Sequence, residues 1–327
     1  MKALVTGATG FIGGHIAQAA LAQGWQVRGL RRTAGRTGHL SPDSPMEWVE
    51  GDLNDADSLQ RACSGVEVLF HAAAYYPRRE RTLSMAEHLQ AAEAEMRGVL
   101  AAAKAAGVRR LVYTSTLSCI GNLPPGAGRL ADERDVYQLG QFPESVYYET
   151  KIVMERLALA ANAPDLEVVV TNPTAVFGPG DLNHTLGMLL ILIAKGYAFL
   201  WLPAPVNVVD VRDVATAHMQ AALKGRPGER YILGGHNTNL REAITLAAKE
   251  AGRKPPWLPL PLWVVKPIVW LGDRFPAIPL PANHMRSIHL WQPYNTAKAE
   301  NELGLQARPF DETVRDSLAW FVAQGDL

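Results

Sequence analysis

Three glycines follow the first apolar run of the chain, and their spacing constrains the fold more than any other feature. The run covers residues 3–5, and Gly7, Gly10 and Gly13 come directly after it, ahead of an amphipathic segment that ends near Gly24. Glycines so spaced let a turn tighten, let the backbone approach a pyrophosphate and let a helix pack closely on a strand. The N–H groups that begin the helix would face the phosphates. The pattern predicts a dinucleotide site, for which the candidate residues are Thr6, Gly7, Thr9, Gly10, Phe11, Ile12 and Gly13.

Short runs rich in β-branched residues alternate with alanine-rich amphipathic segments through the first half of the chain. After the first run, the alternation predicts strands at residues 26–30, 47–49, 66–70, 111–113 and 168–170. Strands separated by helices imply βαβ units and a parallel sheet. Runs that are apolar on both faces suit a sheet covered by helices on both sides. We therefore predict an α/β fold with a Rossmann-type doubly wound parallel sheet, whose ligands bind outside the carboxyl ends of the strands.

Proline, glycine and tryptophan become frequent in the second half, where the regular alternation stops. We expect a dinucleotide-binding domain formed by residues 1–173 and 206–233, and a smaller C-terminal substrate-binding lobe formed by residues 174–205 and 234–327. One apolar stretch of this lobe, residues 257–271, could contact a membrane. It is interrupted by prolines and falls well short of the ~20 residues that a membrane span needs. We interpret it as a helix packed within the lobe, in preference to a lipid-facing patch.

The charge balance excludes several classes of protein. The 327 residues include 32 basic and 32 acidic side chains, and the pI is about 7.1, whereas nucleic-acid binders and polybasic membrane-surface proteins need a basic field. Cys63 and Cys119 are too few for a disulfide framework or a thiolate metal site, and His184 and His218 lack the spacing of metal ligands. We expect a soluble cytoplasmic protein with no membrane span and no bound metal.

The end of the second predicted strand bears on which dinucleotide binds. An NAD site places Asp or Glu there to accept a hydrogen bond from the ribose 2′-OH. This chain instead has Arg31 and Arg32, with Arg36 close behind, and no carboxylate precedes Asp43. Arginines can pair with a 2′-phosphate and stack on adenine. NADP(H) is therefore favoured while NAD(H) remains possible, and the alternative interpretation is a solvated basic loop.

Two further strand ends supply candidates for the cofactor site. Asp52 and Leu53 follow the third strand, where Asp52 could reach the adenine amino group or could instead cap the helix that comes next. His71 ends the fourth strand and is interpreted as a structural histidine. The small side chains that follow it and would leave room for the cofactor ribose are Ala72, Ala73 and Ala74.

A tyrosine and a lysine at the head of a predicted helix are candidates for acid/base chemistry. Tyr147 and Lys151 are four residues apart and so share one helix face. An ammonium beside a phenol favours the phenolate, which brings the phenol pKa toward working pH. Such a phenol can protonate a carbonyl oxygen as hydride arrives. The hydroxyls of Thr114, Ser115 and Thr116 end the strand before this helix and could bind the same oxygen.

These features together resemble the extended short-chain dehydrogenases/reductases of the NAD(P)-dependent epimerase/dehydratase superfamily. The resemblance covers essentially the whole chain and is closest to the branch of dihydroflavonol-4-reductase-like proteins and hopanoid-associated sugar epimerases. It implies a Ser/Thr–Tyr–Lys triad with Thr116 as the hydroxyl, Ser115 as the reserve and Lys151 also holding the nicotinamide ribose. The segments that carry it, besides those above, are residues 172–179, 209–215 and 228–235. The residues it places near the cofactor on the nicotinamide side are Thr114, Pro173, Thr174 and Val176.

The chain departs from this family in the helix before the fifth strand. Where many relatives have Asn and Gly, this chain has Ala92 and Glu95, so an unmodified proton relay is in doubt. In relatives, helices equivalent to residues 86–106 and 145–161 form a four-helix dimer interface. The resemblance therefore implies a homodimer.

Three functions compete at this point. The first is NADPH-dependent reduction of a ketone or aldehyde on a small, fairly apolar substrate, and the second is nucleotide-sugar epimerisation with bound NAD(P). The third is a non-enzymatic dinucleotide sensor, against which the intact Tyr147 and Lys151 argue. The residues that could line the pocket mouth, or equally form a solvated loop, are Tyr75, Tyr76, Arg78 and Arg79.

Overall fold

A seven-stranded parallel sheet forms the centre of the computed structural model, which describes residues 1–75, 83–124, 126–274 and 287–327. The strands of this sheet are β1 (Lys2–Thr6), β2 (Gln26–Arg31), β3 (Glu47–Glu50), β4 (Val68–His71), β5 (Arg110–Thr114), β6 (Glu167–Pro173) and β10 (Arg230–Leu233). Their order is β10-β6-β5-β4-β1-β2-β3, and every pair is parallel. The chain thus winds outward in both directions from β1, and the predicted doubly wound fold is confirmed.

Helices cover both faces of this sheet, as its fully apolar strands require. The helices of the described chain are α1 (Phe11–Ala22), α2 (Ala56–Cys63), α3 (Met85–Ala105), α4 (Val146–Ala160), α5 (Gly187–Ala194), α6 (Val211–Lys224), α7 (Leu240–Glu250), α8 (Val265–Arg274), α9 (Ala297–Leu303) and α10 (Phe310–Gln324). One core contains side chains of α1 and α6, and the other contains side chains of α2, α3 and α4. Most strand residues between these two layers are fully buried.

Three further strands form a second, smaller sheet. It contains β7 (Ala175–Phe177), β9 (Pro205–Asp210) and β11 (His236–Asn239), with β9 in the middle. Helices α5, α7 and α10 pack on it around Phe177, Val208 and Phe321. The segment 206–233 therefore begins in the small sheet with β9 and returns to the large one through α6 and β10. The proposed domain limits stay a prediction.

The segment at 257–271 differs from its interpretation as a packed helix. It contains a short strand, β12 (Leu258–Pro259), which pairs with β8 (Leu200–Trp201), and then a single 3-10 turn that leads into α8. One face of α8 is buried through Val265 and Val269. Three tryptophans of the segment lie on the surface instead, with exposed fractions of 70% for Trp257, 73% for Trp263 and 65% for Trp270. None of the described helices is long and apolar enough to cross a membrane.

The glycine turn between β1 and α1 has the crowding that its spacing predicts. Gly7 has a φ of +77°, and a Cβ there would lie 2.8 Å from the backbone nitrogen of Ala73. A Cβ on Gly13 would lie 2.2 Å from the carbonyl oxygen of Gly7. The first helical turn therefore packs directly on the strand that precedes it, and only a residue without a side chain fits at these two positions.

We expect Gly13→Ala to lower the free energy of unfolding by about 1–3 kcal/mol, because the added methyl meets backbone and not a movable side chain. Gly98→Ala is the matched control, since Gly98 lies within α3 and the nearest atom to its Cβ would be 3.8 Å away. That substitution should raise the free energy of unfolding by about 0.5–1 kcal/mol through helix propensity. Urea unfolding followed by circular dichroism measures both, and equal changes in the two variants would contradict the packing argument.

Candidate active site

A cleft of about 1180 Å³ opens at the carboxyl ends of β1, β4, β5 and β6 and is closed on its far side by the second lobe. It brings together predicted residues from five parts of the chain. Those that line it are Gly7, Gly10, Phe11, Ile12, Gly13, Ala72, Ala74, Ser115, Thr116, Tyr147, Lys151, Pro173, Thr174 and Val176. The predicted residues that do not line it are Thr6, Thr9, Arg31, Arg32, Arg36, Asp52, Leu53, Ala73 and Thr114.

The first turn of α1 is built to receive an anion. Gly10 is its N-cap residue and offers no side chain to the N–H groups of the turn, and no acidic residue lies in that turn. These donors and the positive end of the helix dipole face the cleft beside Gly7. The backbone of the turn is held by a hydrogen bond of 2.8 Å from the Gly10 nitrogen to the Gly7 carbonyl. The arrangement fits a pyrophosphate.

Thr6 and His71 support this turn from beneath. The Thr6 hydroxyl and His71 Nδ1 are 2.7 Å apart, and both side chains are fully buried. Burial lowers the pKa of His71 to about 3, and the nearby Lys151 charge acts in the same direction. The His71 ring also stacks on Tyr113 with centroids 5.5 Å apart. His71 is thus a neutral, structural histidine, which agrees with its interpretation from the sequence.

The three arginines beyond β2 do not share one environment. The guanidinium of Arg31 lies 3.4 Å from the Glu50 carboxylate and 5.3 Å from the centre of the Trp48 ring. Arg32 and Arg36 are exposed, and neither forms an ion pair with any residue that the structure describes. Two of the three cations are therefore available to an anionic ligand at this strand end.

Asp52 has a local partner at the end of β3. Its Oδ1 accepts hydrogen bonds from the backbone and side-chain nitrogens of Asn54, at 2.9 and 3.0 Å. The N-cap of α2 is Asp55, whose side chain accepts from the Asp57 nitrogen. Asp52 therefore orders the turn before the helix, and the alternative that it caps the helix itself is wrong.

Tyr147, Thr116 and Lys151 meet in the middle of the cleft. The Tyr147 hydroxyl lies 3.4 Å from Thr116 Oγ1, and Lys151 Nζ lies 5.8 Å from the centre of the Tyr147 ring. Ser145 is the N-cap of α4, and its side chain accepts from the Tyr148 nitrogen, so both Tyr147 and Lys151 lie within the first two turns of the helix. Burial lowers the pKa of the Lys151 ammonium, and the carboxylate of Glu95 partly opposes this.

Ser115 and Thr114 are engaged elsewhere. The Ser115 hydroxyl donates to Glu155 Oε2 at 2.5 Å, and the Thr114 hydroxyl lies 2.9 Å from His218 Nε2 on α6. The Thr114 side chain is thus directed to the opposite face of the sheet, which is why it does not line the cleft. Alternate residues of a strand face opposite sides, and this separates Thr114 from its neighbour.

A buried ion pair beneath the cleft was not foreseen from the sequence. Glu155 Oε1 accepts from Arg230 at 2.7 Å, and Oε2 also accepts from the Asn172 amide at 2.6 Å. Both charged side chains are less than a tenth exposed. The sequence did contain a signal for the position of Glu155. This residue follows Lys151 by four residues and therefore lies on the same helix face.

Glu95 is a buried carboxylate on α3, in the position where the family resemblance implies glycine. It is 7% exposed, and its Oε1 has no hydrogen-bond partner among the described residues. Burial raises the pKa of Glu95 to about 6, although the positive charge of Lys151 lowers it in part. Ala92, at the position of the family asparagine, is fully buried and apolar. The relay position therefore lacks its amide, while a carboxyl group lies one turn further along.

The substrate side of the cleft comes from segments that offered no motif. The residues that line it come from the second lobe and from β9 of the small sheet, and they include Asn183, Leu186, Val206, Asn207, Trp291 and Tyr294. Of the four residues considered for the pocket mouth, the Tyr75 hydroxyl lies 2.6 Å from His88 Nδ1. Tyr76, Arg78 and Arg79 lie outside the described residues. Where the structure is described, no group of three or more His, Cys, Asp or Glu side chains could hold a metal ion.

Comparison with known proteins agrees with this geometry. Residues 3–234 match the NAD dependent epimerase/dehydratase family. The chain belongs to this family. It is 32% identical to a Synechocystis protein named dihydroflavonol 4-reductase, over 98% of this chain and 94% of the relative. It is 30% identical to sterol demethylase protein B of Methylococcus capsulatus, over 99% of each.

Among solved structures, that of gox2253 superposes with a TM-score of 0.84 at 30% identity and covers 99% of both chains. The resemblance noted from the sequence is therefore confirmed. The protein is an NAD(P)-dependent oxidoreductase of the extended short-chain dehydrogenase/reductase type.

We expect Glu95→Gln to stabilise the protein in a pH-dependent way. A carboxyl group whose pKa is raised from 4.5 to about 6 in the fold destabilises the fold when it ionises, so the penalty is absent below about pH 4.5 and complete above about pH 6. The gain in free energy of unfolding should approach about 2 kcal/mol near pH 8 and disappear near pH 4.5.

Urea unfolding of the cofactor-free protein at the two pH values measures this difference. Glu93→Gln is the control, because Glu93 lies on the same helix at the surface and pairs with Arg97 at 3.5 Å. Its effect should be small at both pH values. An equal gain at both pH values for Glu95→Gln would show that the fold does not raise the pKa of the Glu95 carboxyl.

Proposed function

We propose that the protein is an NADPH-dependent reductase that converts the ketone or aldehyde group of a small, fairly apolar substrate into an alcohol. The observation that carries the proposal is the convergence of Tyr147, Thr116 and Lys151 in one cleft, next to the anion-binding turn at Gly7 and Gly10. Acid/base, hydrogen-bonding and cationic groups are there within reach of a single carbonyl oxygen.

The residues present fit a nicotinamide dinucleotide. The crowded turn at Gly7 and Gly13 would hold the pyrophosphate, and Lys151 would hold the nicotinamide ribose. On the far side, the backbone after Pro173 would meet the carboxamide. Arg32 and Arg36 would pair with the 2′-phosphate, which favours NADP(H), although NAD(H) remains the alternative. When bound, NADPH supplies the hydride.

The protein's own part is the transfer of one proton. As two electrons reach the carbonyl carbon with the hydride, negative charge develops on the oxygen, and Tyr147 donates its phenolic proton to that atom. Thr116 donates a hydrogen bond to the same oxygen, while the buried Lys151 ammonium favours the phenolate that remains. Ser115 is the reserve hydroxyl, but its bond to Glu155 leaves Thr116 as the one that faces Tyr147.

Substrate polarity is inferred from the second lobe. Leu186, Val206 and Trp291 present apolar surface opposite the catalytic groups, with Asn183 and Asn207 as polar points among them. The names of two relatives, a dihydroflavonol 4-reductase and a sterol demethylase protein, are consistent with ring-containing apolar substrates. Epimerisation of a nucleotide sugar is the second candidate, favoured by the description of the family itself.

We also propose a cytoplasmic homodimer. Cys63 and Cys119 are free thiols that lie buried, as a reducing compartment allows. Helices α3 and α4 pack side by side on one face of the sheet, and pairing them with their copies would give a four-helix interface. Light scattering distinguishes this dimer from a monomer.

We expect Tyr147→Phe to lower turnover by about 10²–10⁴-fold, because it removes the proton donor and little else. NADPH affinity should change little. The assay follows loss of NADPH absorbance over a panel of ketones and aldehydes, with Tyr197→Phe, an exposed tyrosine away from the cleft, as the control.

A panel of diphosphate sugars is run in parallel, with product isomers measured by chromatography. Isomerised sugar without net NADPH oxidation would replace the reductase proposal with the epimerase. Turnover of any carbonyl substrate that Tyr147→Phe leaves unchanged would remove the proposed mechanism.

The double variant Arg32→Ser/Arg36→Ser should weaken NADPH binding by about 10–100-fold, since charge-assisted bonds to the phosphate are lost. Binding of NADH should change by less than about threefold, because NADH has no phosphate at this position. Fluorescence titration of the cofactor-free protein measures both. Arg109→Ser, which removes an exposed arginine elsewhere, is the control, and tighter binding of NADH than NADPH by the unaltered protein would overturn the preference.

A further inference from the structure

Six exposed aromatic and aliphatic side chains lie on the second lobe, five of them within residues 257–270 and the sixth, Phe199, stacked on Trp257. We define the aromatic surface by its members, which are Phe199, Trp257, Leu258, Leu262, Trp263 and Trp270. The three tryptophans each expose 65% or more of their surface. Monomeric proteins rarely place several large apolar side chains together in water, and such patches mark interaction sites.

Two chain segments hold this surface in place. Trp257 stacks on Phe199, with ring centroids 6.5 Å apart, and its nitrogen donates to the Phe199 carbonyl at 3.1 Å. The short pairing of β8 with β12 continues the contact. Trp263 and Trp270 are seven residues apart in one continuous helical stretch, so they project toward the same side. The tryptophans are therefore displayed on ordered backbone.

The charges along the segments that carry the aromatic surface are mostly basic. Glu250 and Asp273 are the two acidic residues of segments 186–201 and 250–274, and Glu250 pairs with Arg315 at 3.2 Å. The same segments contain five basic residues. Of these, Lys195, Arg253 and Lys254 are exposed, and Arg253 joins the segments by donating to the Ala194 carbonyl at 2.6 Å. Neither lysine forms an ion pair within the described part of the chain. A basic rim around exposed tryptophans is complementary to a surface that is apolar inside and anionic at its boundary.

We propose that the aromatic surface docks on a phospholipid bilayer that contains anionic headgroups, without crossing it. Tryptophan prefers the headgroup level of a bilayer, where its ring is buried and its N–H stays hydrated. Lysine and arginine at the same level attract anionic lipids. A second copy of the chain suits the surface less well, because a two-fold contact would bring the mostly basic rims, Lys195 and Lys254 among them, toward each other.

The aromatic surface and the cleft share one wall. Val265 and Val269, on the inner side of α8, pack in one cluster with Ile288 and Trp291, and Trp291 also lines the cleft. Docking would therefore bring the substrate side of the cleft close to the bilayer, from which an apolar substrate could enter. This last consequence rests on the proposed reductase function, whereas docking itself does not.

The experiment is co-sedimentation of the full chain with vesicles of phosphatidylcholine mixed with phosphatidylglycerol, and with vesicles of phosphatidylcholine alone. Neither cofactor nor substrate is added, so failure here is separate from failure of the reductase assay. We expect binding to the mixed vesicles and weaker binding to the neutral ones. Lipids brominated in the acyl chain should also quench the tryptophan fluorescence of the unaltered protein, a readout that needs no variant.

Two sets of variants test which side chains are responsible. Trp257→Ser/Trp263→Ser/Trp270→Ser should lower the ratio of bound to free protein at least about tenfold, while Lys195→Gln/Lys254→Gln should remove the preference for anionic vesicles. Val136→Ser/Leu223→Ser, which alters exposed apolar residues outside the surface, should bind as the unaltered protein does. No vesicle binding, binding that the tryptophan variant retains, or a dimer that only this variant dissociates would each overturn the proposal.

Discussion

The buried carboxylate of Glu155 is the point at which helix α4, the large sheet and the loop beside them are joined. Arg230 from β10, Asn172 from β6 and Ser115 beyond β5 all donate to it. Removing two charges from water is costly, and the cost is offset only when every partner is in place. Arg230 completes its own bonds with the carbonyls of Glu133 and Asp135 at 2.8 and 2.6 Å. A shift of α4 along the sheet would leave a buried charge unpaired, so this network fixes where Tyr147 and Lys151 stand.

The strands and the glycine turn could be predicted because their signals lie in short stretches of sequence. Contacts between residues that are far apart in the sequence could not be predicted. Short β-branched runs identified the strands of the large sheet up to β6 to within two residues of their ends, except that β6 extends three residues beyond its predicted end, to Pro173. The tight spacing of glycines likewise predicted a contact that the structure contains, between Gly7 and Gly13. The partners of β9 and the position of Glu95 beside Lys151 depend on tertiary packing instead. The sequence placed Glu95 in a helix, but only the fold shows that its carboxyl is buried where the charges of Glu95 and Lys151 influence each other.

The basic N-terminal region shows how a local charge count can mislead. Residues 1–42 contain five cations and no acid, yet β3 lies beside β2 in the sheet with Glu47 opposite Arg28 and Glu50 opposite Arg31. Glu47 pairs with Lys2 and Arg28, and the Arg28 guanidinium also donates to carbonyls at the end of α2. Three of the five charges are thus engaged within the fold. The case for a phosphorylated cofactor therefore does not depend on all five cations of residues 1–42. It depends on the two that the fold leaves available, Arg32 and Arg36.

The apolar stretch near the C-terminus was interpreted as core because hydrophobicity alone does not say how many faces a helix must bury. In α8, Val265 and Val269 are spaced by four and face inward, while Trp270 is exposed on the other side. A surface helix of a protein that contacts only water has a polar outer face. The exposed rings of Trp263, in the turn before α8, and Trp270, within α8, favour a second apolar environment, because contact with it would remove their apolar surface from water.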